Sequence, residues 1–113
     1  MKETNKLIAE FMDKETILYD SKTNEPFEVN HTYHSDWNEL IRAIEKIEDI
    51  RFDNEDKDSY VSYHRYDVDT RGIGCTITDV QEGSVVGYGD CATKRESTYR
   101  AIVEFIKFYN QNK

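Results

Sequence analysis

The sequence predicts an α+β fold with a four- to five-stranded, mostly antiparallel sheet packed with three helices, a helix–sheet–helix sandwich. Three segments carry apolar residues at helical spacing, and between them lie short extended segments bounded by turn-forming residues. Tight turns join antiparallel strands, whereas parallel pairs need long crossovers. The predicted order is helix, two strands, helix, three strands and helix.

The length and composition indicate one folded domain spanning residues 1–113. A chain of 113 residues is close to the commonest domain size and can fold without disulfides or a structural metal. Hydrophobic residues make up 37% of it and charged residues 34%, but five Phe, eight Tyr and one Trp supply the large apolar surface that a core needs. Disorder is therefore not expected.

The first three elements are a helix and a hairpin. Residues 3–13 place Leu7, Ile8, Phe11 and Met12 on one helical face. Residues 16–20 and 27–33 are predicted to be extended, and the polar residues 21–26 between them favour a turn.

The second helix has the clearest pattern, because Ser35 or Asp36 can cap it and Glu39 completes a capping box with Asp36. Its apolar stripe consists of Trp37, Leu40, Ile41, Ile44, Ile47 and Ile50.

Three strands and a third helix are predicted after an exposed acidic loop. The strands span residues 60–67, 74–80 and 84–88, with turns around residues 69–72 and 82–83. The last helix begins with a capping box from Thr93 to Glu96. Its core-facing residues are predicted to be Tyr99, Ile102, Val103, Ile106 and Tyr109.

Cysteine usage and charge limit the cellular setting. Cys75 and Cys91 lack metal-ligand spacing, and no segment resembles a signal peptide or membrane span, so we expect free thiols, a cytoplasmic location and no membrane partner. The net charge of −8 disfavours direct nucleic-acid binding, because a nucleic-acid binder neutralises phosphates with Lys and Arg.

Three segments resemble small phage and prophage proteins of the phage ABA-sandwich type. They are residues 5–12, residues 33–37 leading into a helix that ends at 44–47, and residues 101–107, together about half the chain. The resemblance implies a helix–sheet–helix sandwich, a phage or mobile-element origin and a location in the host cell, but no transferable catalytic residues. The chain departs from the pattern at Asp13, where those proteins usually have Gly, and in its middle third.

The chemical motifs indicate neither an enzyme nor a resident cofactor. His31 and His34 face opposite sides of an extended segment, which argues against a shared metal. The loop at residues 49–58 has alternating carboxylates but lacks the Gly and the Glu of an EF-hand, so a solvated charge run is favoured over a calcium site. Cys91 precedes a helix start and is expected to be the more reactive thiol.

The segment that concentrates charge and aromatic residues is the predicted partner-binding site, with Asp53, Glu55, Asp56, Asp58, Tyr63 and Arg65. In the first hypothesis the chain is a non-enzymatic inhibitor of a host defence nuclease, anti-CRISPR-like, whose acidic surface binds a host protein or ribonucleoprotein complex. The alternative is a small module that binds nucleic acid or a small ligand through a Tyr63/Arg65 sheet face, without inhibition.

Overall fold

The computed structural model describes residues 2–50 and 65–112 and confirms an α+β fold with three helices. The order of elements is the predicted one. Their bounds are α1 Lys2–Phe11, β1 Ile17–Tyr19, β2 Pro26–Glu28, α2 Trp37–Asp49, β3 Tyr66–Asp69, β4 Gly74–Asp79, β5 Ser84–Asp90 and α3 Lys94–Gln111.

The prediction of one four- to five-stranded sheet is wrong for the described residues. Strands β1 and β2 form a separate two-stranded antiparallel sheet, and the other three strands form an antiparallel sheet in the order β3-β4-β5. Turn residues mark where a chain reverses, but they do not specify which hairpins share a sheet. Because β1 and β2 are only three residues long, they also lack the alternating pattern that would place one face on a core.

Capping side chains fix the starts of the two longer helices. The Asp36 carboxylate accepts the backbone N–H groups of Asn38 and Glu39 at 3.0 and 3.4 Å, and the Thr93 hydroxyl accepts that of Glu96 at 3.2 Å. Of the two predicted caps of α2, Asp36 is therefore the one used.

The three helices lie on one face of the β3–β5 sheet in the described part of the chain. Helix α3 packs on β4 and β5, α2 packs on β3 and α3, and α1 packs on α3. Strand β4 alternates accordingly, with Cys75, Ile77 and Asp79 buried under the helices. The two-sided sandwich implied by the resemblance is not what these residues form.

Phe105 of α3 lies at the centre of the core. Its ring is in T-shaped contact with the rings of Tyr66 and Phe11, at centroid distances of 4.7 and 6.1 Å, and is stacked on the ring of Tyr109 at 5.7 Å. The predicted stripe of α3 did not include it. The buried apolar residues are Ile8, Ala9, Tyr33, Leu40, Ala43, Ile47, Tyr66, Cys75, Ile77, Ala101, Ile102, Val103, Phe105 and Ile106.

Two glycines allow α3 to lie directly on β5. A Cβ atom at Gly89 would be 2.0 Å from the carbonyl oxygen of Ser97, and one at Gly87 would be 2.4 Å from that of Ala101. Real Cβ atoms do not approach so closely, so both positions require glycine for the observed packing.

Candidate partner-binding surface

The β1–β2 hairpin exposes an unusual amount of apolar surface. All six of its strand residues are exposed. The exposed fractions of its large apolar residues are 47% for Ile17, 39% for Leu18, 65% for Tyr19 and 49% for Phe27. Isolated exposed apolar residues need no explanation, but four on one short hairpin make this hairpin a candidate for an interaction site.

The apolar residues occupy both faces of the hairpin. Residues that are opposite each other in an antiparallel pair share a face, and the register pairs Leu18 with Phe27 and Tyr19 with Pro26. Since successive residues alternate between faces, Ile17 and Tyr19 lie on one side and Leu18 and Phe27 on the other. The Leu18/Phe27 face is therefore wholly apolar within the paired strands, whereas Ile17 and Tyr19 share their face with the exposed Glu28.

The turn of the hairpin is shaped by Asp20. Its Oδ1 atom accepts the backbone N–H groups of Lys22 and Thr23 at 2.7 and 3.2 Å, and these bonds lower the pKa of the carboxyl group because they favour its charged form. Asn24 adopts a left-handed conformation with φ 57°, which Asn tolerates better than most residues.

Polar contacts tie the base of the hairpin to its surroundings. Lys2 of α1 pairs with Glu28, which raises the pKa of the ammonium group and lowers that of the carboxyl group. The His31 Nε2 atom donates to the Glu15 carbonyl at 2.9 Å. The hairpin is thus held at its base while its apolar side chains stay exposed.

The hairpin and its flanks are acidic. Residues 13–31 contain five acidic and two basic residues, a net charge of −3 within a chain of −8. The surface therefore combines apolar side chains with negative charge.

Of the six predicted site residues, the structure describes only Arg65. Its Nη2 atom is 3.7 Å from the Oδ2 atom of Asp79, a carboxylate that is only 1% exposed, and its guanidinium carbon is 5.5 Å from the centroid of the Tyr66 ring. Arg65 thus stabilises the end of the β3–β4 pair. The other predicted residues, Asp53, Glu55, Asp56, Asp58 and Tyr63, lie outside the described residues.

The outer face of the β3–β5 sheet is solvent-facing in the described residues. Tyr66 and Val68 share the helix-covered side, as their alternation predicts, and burial raises the pKa of Tyr66. On the opposite side Asp67 and Asp69 are exposed, and Val85 and Tyr88 of β5 are 58% and 55% exposed.

Cys91 and His34 both line a cavity of about 370 Å³. The sequence did not indicate that these two residues lie near each other. His34 accepts a hydrogen bond at Nδ1 from the Asn5 amide at 2.8 Å, and the Thr4 hydroxyl bonds that of Tyr99. Sequence reasoning missed this proximity because these residues lie on separate elements.

The two histidines lie in separate surroundings, and Cys75 lies in the core. His31 and His34 make separate contacts, with the Glu15 carbonyl and with Asn5. Within residues 2–50 and 65–112 no three His, Cys, Asp or Glu residues cluster as metal ligands would. Cys75 is a buried core thiol, and burial raises its pKa.

Comparison with protein-family models, with curated protein sequences and with solved structures gave no match. The phage ABA-sandwich resemblance therefore stays a prediction. No helix in the described ranges combines the length and the apolar character needed to cross a membrane.

Proposed function

We propose that this chain is a non-enzymatic binding protein that attaches to a basic surface of a host protein or ribonucleoprotein complex through the β1–β2 hairpin. The observation that carries the proposal is the cluster of four exposed apolar residues on an acidic hairpin. Apolar surface provides affinity when it is buried, and negative charge selects a positively charged partner.

The free energy of a micromolar complex requires both the apolar side chains and the acidic residues of the hairpin. Full burial of a large apolar side chain contributes about 1.5–3 kcal/mol, so four that are already half-buried add roughly 4 kcal/mol in total. A micromolar complex needs about 8 kcal/mol. Acidic residues around the hairpin would supply electrostatic attraction and accelerate association, and this contribution falls as salt is added.

A surface that holds nucleic acid is the kind of basic partner that fits best, since such surfaces carry many Lys and Arg residues. An acidic protein that covers such a basic surface competes with nucleic acid for it. Inhibition of a host defence nuclease, in the anti-CRISPR manner, is this proposal in its most specific form, and the phage resemblance is its support.

The alternative of a Tyr63/Arg65 binding face has weaker support. The Arg65 guanidinium is already paired with Asp79, and using it for a ligand would leave a buried carboxylate without its cation. Tyr63 lies outside the described residues.

The proposal is tested by affinity capture from a nuclease-treated host lysate, with variants that remove the apolar surface. Leu18→Ser with Phe27→Ser empties one hairpin face without touching the core. Ile41→Ser is the matched control, because Ile41 is 45% exposed and belongs to α2 rather than to the hairpin. We expect a basic protein that the native chain and the control retain and the double variant loses.

Equal retention by the double variant would contradict the proposal. Circular dichroism should show the same helix content for all three proteins, because none of the substituted residues is buried. A second variant replaces Glu15 and Glu25 with Gln. This variant should associate more slowly than the native chain at low salt and at nearly the same rate at high salt.

A further inference from the structure

Strand β1 carries most of the exposed apolar surface of the hairpin and pairs regularly with β2. Its three residues, Ile17, Leu18 and Tyr19, are three of the four exposed large apolar residues described above. The register with β2 runs through all three pairs without a shift. In the described structure β2 is the only strand that pairs with β1, so the other edge of β1 has no strand beside it.

The hydrogen-bond pattern shows which backbone groups this edge presents. A backbone hydrogen bond lies at each end of the ladder, from the N–H of Val29 to the C=O of Thr16 and from the N–H of Asp20 to the C=O of Glu25. Hydrogen-bonded and non-hydrogen-bonded pairs alternate along an antiparallel ladder, so the Leu18/Phe27 pair is hydrogen-bonded and the pairs on either side of it are not. The N–H and C=O groups of Ile17 and Tyr19 therefore point away from β2.

The opposite edge of the hairpin, along β2, is less suited to pairing. Pro26 and Glu28 occupy its outward positions, because they are opposite Tyr19 and Ile17. Pro26 has no N–H to donate, and Glu28 is paired with Lys2 of α1. Proline and charged residues on an edge strand discourage further pairing, and β1 contains neither. An additional strand is therefore expected beside β1 and not beside β2.

A strand beside β1 accounts for the apolar side chains on both faces of the hairpin. A flat surface that covered Leu18 would leave Ile17 and Tyr19 in water, because these two lie on the other face. An added strand neighbours all three residues, since its own side chains alternate between the two faces. It would also stabilise the hairpin, because a two-stranded sheet by itself is only marginally stable in water.

Carboxylates at both ends of β1 favour a basic strand. Glu15 precedes β1 by two residues and Asp20 follows it directly, and both residues are exposed. Among the described residues, no cation forms an ion pair with either carboxylate. A segment with Lys or Arg on each side of a short apolar run would place its cations near these two carboxylates.

We propose that β1 binds an extended basic segment of the partner by strand addition. The backbone of the segment pairs with the N–H and C=O groups of Ile17 and Tyr19, and its β-branched or aromatic side chains pack beside those of β1. This inference rests on the function proposed above, because it specifies how the partner engages the same hairpin.

The charge preference is tested by fluorescence polarisation with the labelled peptide Lys-Lys-Val-Tyr-Val-Lys-Lys, which has the same sequence in both directions. We expect it to bind at least about tenfold more tightly than the same peptide with Glu in place of Lys. Glu15→Lys should reduce this preference at least about threefold. The control Glu82→Lys makes the same change of charge in the exposed turn between β4 and β5 and should leave the preference unchanged. Equal binding of the two peptides, no binding of the Lys peptide, or equal effects of the two substitutions would overturn the proposal.

Strand addition is tested by removing one outward N–H group. Tyr19→Pro and Tyr19→Ala both remove the ring, but only Tyr19→Pro also removes the N–H. We expect Tyr19→Pro to bind the Lys peptide at least about fivefold more weakly than Tyr19→Ala. Pro26→Ala, which adds an N–H at the β2 edge, should bind it as tightly as the native chain. Equal affinities of the two Tyr19 variants would show that the peptide does not pair with β1.

The captured partner distinguishes a failure of this inference from a failure of the proposed function. If Leu18→Ser with Phe27→Ser loses the partner and Tyr19→Pro retains less of it than Tyr19→Ala, both are supported. If the double variant loses the partner but the two Tyr19 variants retain it equally, the hairpin is the site and strand addition is wrong. Retention of the partner by the double variant would contradict the proposed function and this inference with it.

Discussion

Substituting Gly89 by Ala should destabilise the protein strongly, because the new Cβ atom meets the backbone of α3. The atom would lie 2.0 Å from the Ser97 carbonyl oxygen and 2.7 Å from the carbonyl carbon, whereas real contacts are essentially never below 3.0 Å. Helix α3 would have to move by about 1 Å, since a backbone atom cannot rotate away as a side chain can.

The expected loss of stability depends on the buried residues that move with α3. Ser97, Ala101 and Phe105 of α3 are fully buried, so a displacement loosens the core around them. Overpacking costs about 1–3 kcal/mol, and a clash with backbone belongs at the upper end, so we expect a loss of about 3 kcal/mol. That is a large part of the total of about 5–15 kcal/mol that is typical of a domain.

The assay is urea unfolding followed by circular dichroism, with Gly74→Ala as the control. At Gly74 the nearest atoms to a new Cβ would be 3.6 and 3.7 Å away, an ordinary contact distance. That substitution should change stability by less than about 1 kcal/mol, in the stabilising direction if the lower entropy of the unfolded chain dominates. With a slope of about 1.5 kcal/mol/M, Gly89→Ala should lower the midpoint by about 2 M.

Unfolding midpoints that agree within about 0.3 M for the two variants would refute the close-approach argument, since this difference corresponds to only about 0.5 kcal/mol. They would show that α3 does not rest on β5 as described.

Three further predictions concern a helix cap, a turn and the two thiols. Asp36→Ala should lower the free energy of unfolding by about 1 kcal/mol because α2 loses its cap, and Ser35→Ala should lower it less. Chemical denaturation measures both changes. Equal losses would contradict the assignment of Asp36 as the cap. Because the pKa of Asp20 is lowered in the folded state, its contribution to stability is fully present above the unfolded-state pKa of about 3.9 and is lost as pH falls through the folded value. Asp20→Asn should therefore reduce the loss of stability on acidification. An unchanged loss would argue against the role of Asp20 in the turn. Cys91 should react with a thiol reagent in the native state, whereas Cys75 should react only on unfolding, and mass spectrometry follows both reactions. Equal rates for the two thiols would contradict the burial of Cys75.

The local signals in the sequence predicted the order of the elements correctly, but β1 and β2 are shorter than predicted and β3 continues to Asp69, past its predicted end at residue 67. Asp36 and Thr93 cap the helices that they were expected to start, because a capping side chain acts on backbone groups only two or three residues away. The start of β4 at Gly74 and that of β5 at Ser84 also agree with the turn pattern. These features are determined within a few residues and can be read without knowing the fold.

Contacts between distant elements could not be predicted in the same way. Which strands share a sheet depends on the packing of whole elements, so the separation of the β1–β2 hairpin from the larger sheet was missed. Phe105 was missed because Ile102 and Ile106 already defined a stripe, and α3, covered by β4, β5, α1 and α2, buries more of its circumference. The pairing of Arg65 with buried Asp79 likewise joins two strands.

The hairpin shows that an exposed apolar segment can have the sequence pattern of a buried strand. Ile17, Leu18 and Tyr19 read as a buried strand, since consecutive apolar residues usually indicate burial on both faces. Only the structure shows that these three residues remain 39–65% exposed.

The most direct test of the central claim is hydrogen exchange of the hairpin amides with and without the captured partner. We expect residues 17–19 and 26–28 to become protected in the complex, and Leu18→Ser with Phe27→Ser to abolish both the complex and the protection. A complex that protects other surfaces while exchange in the hairpin stays unchanged would contradict it.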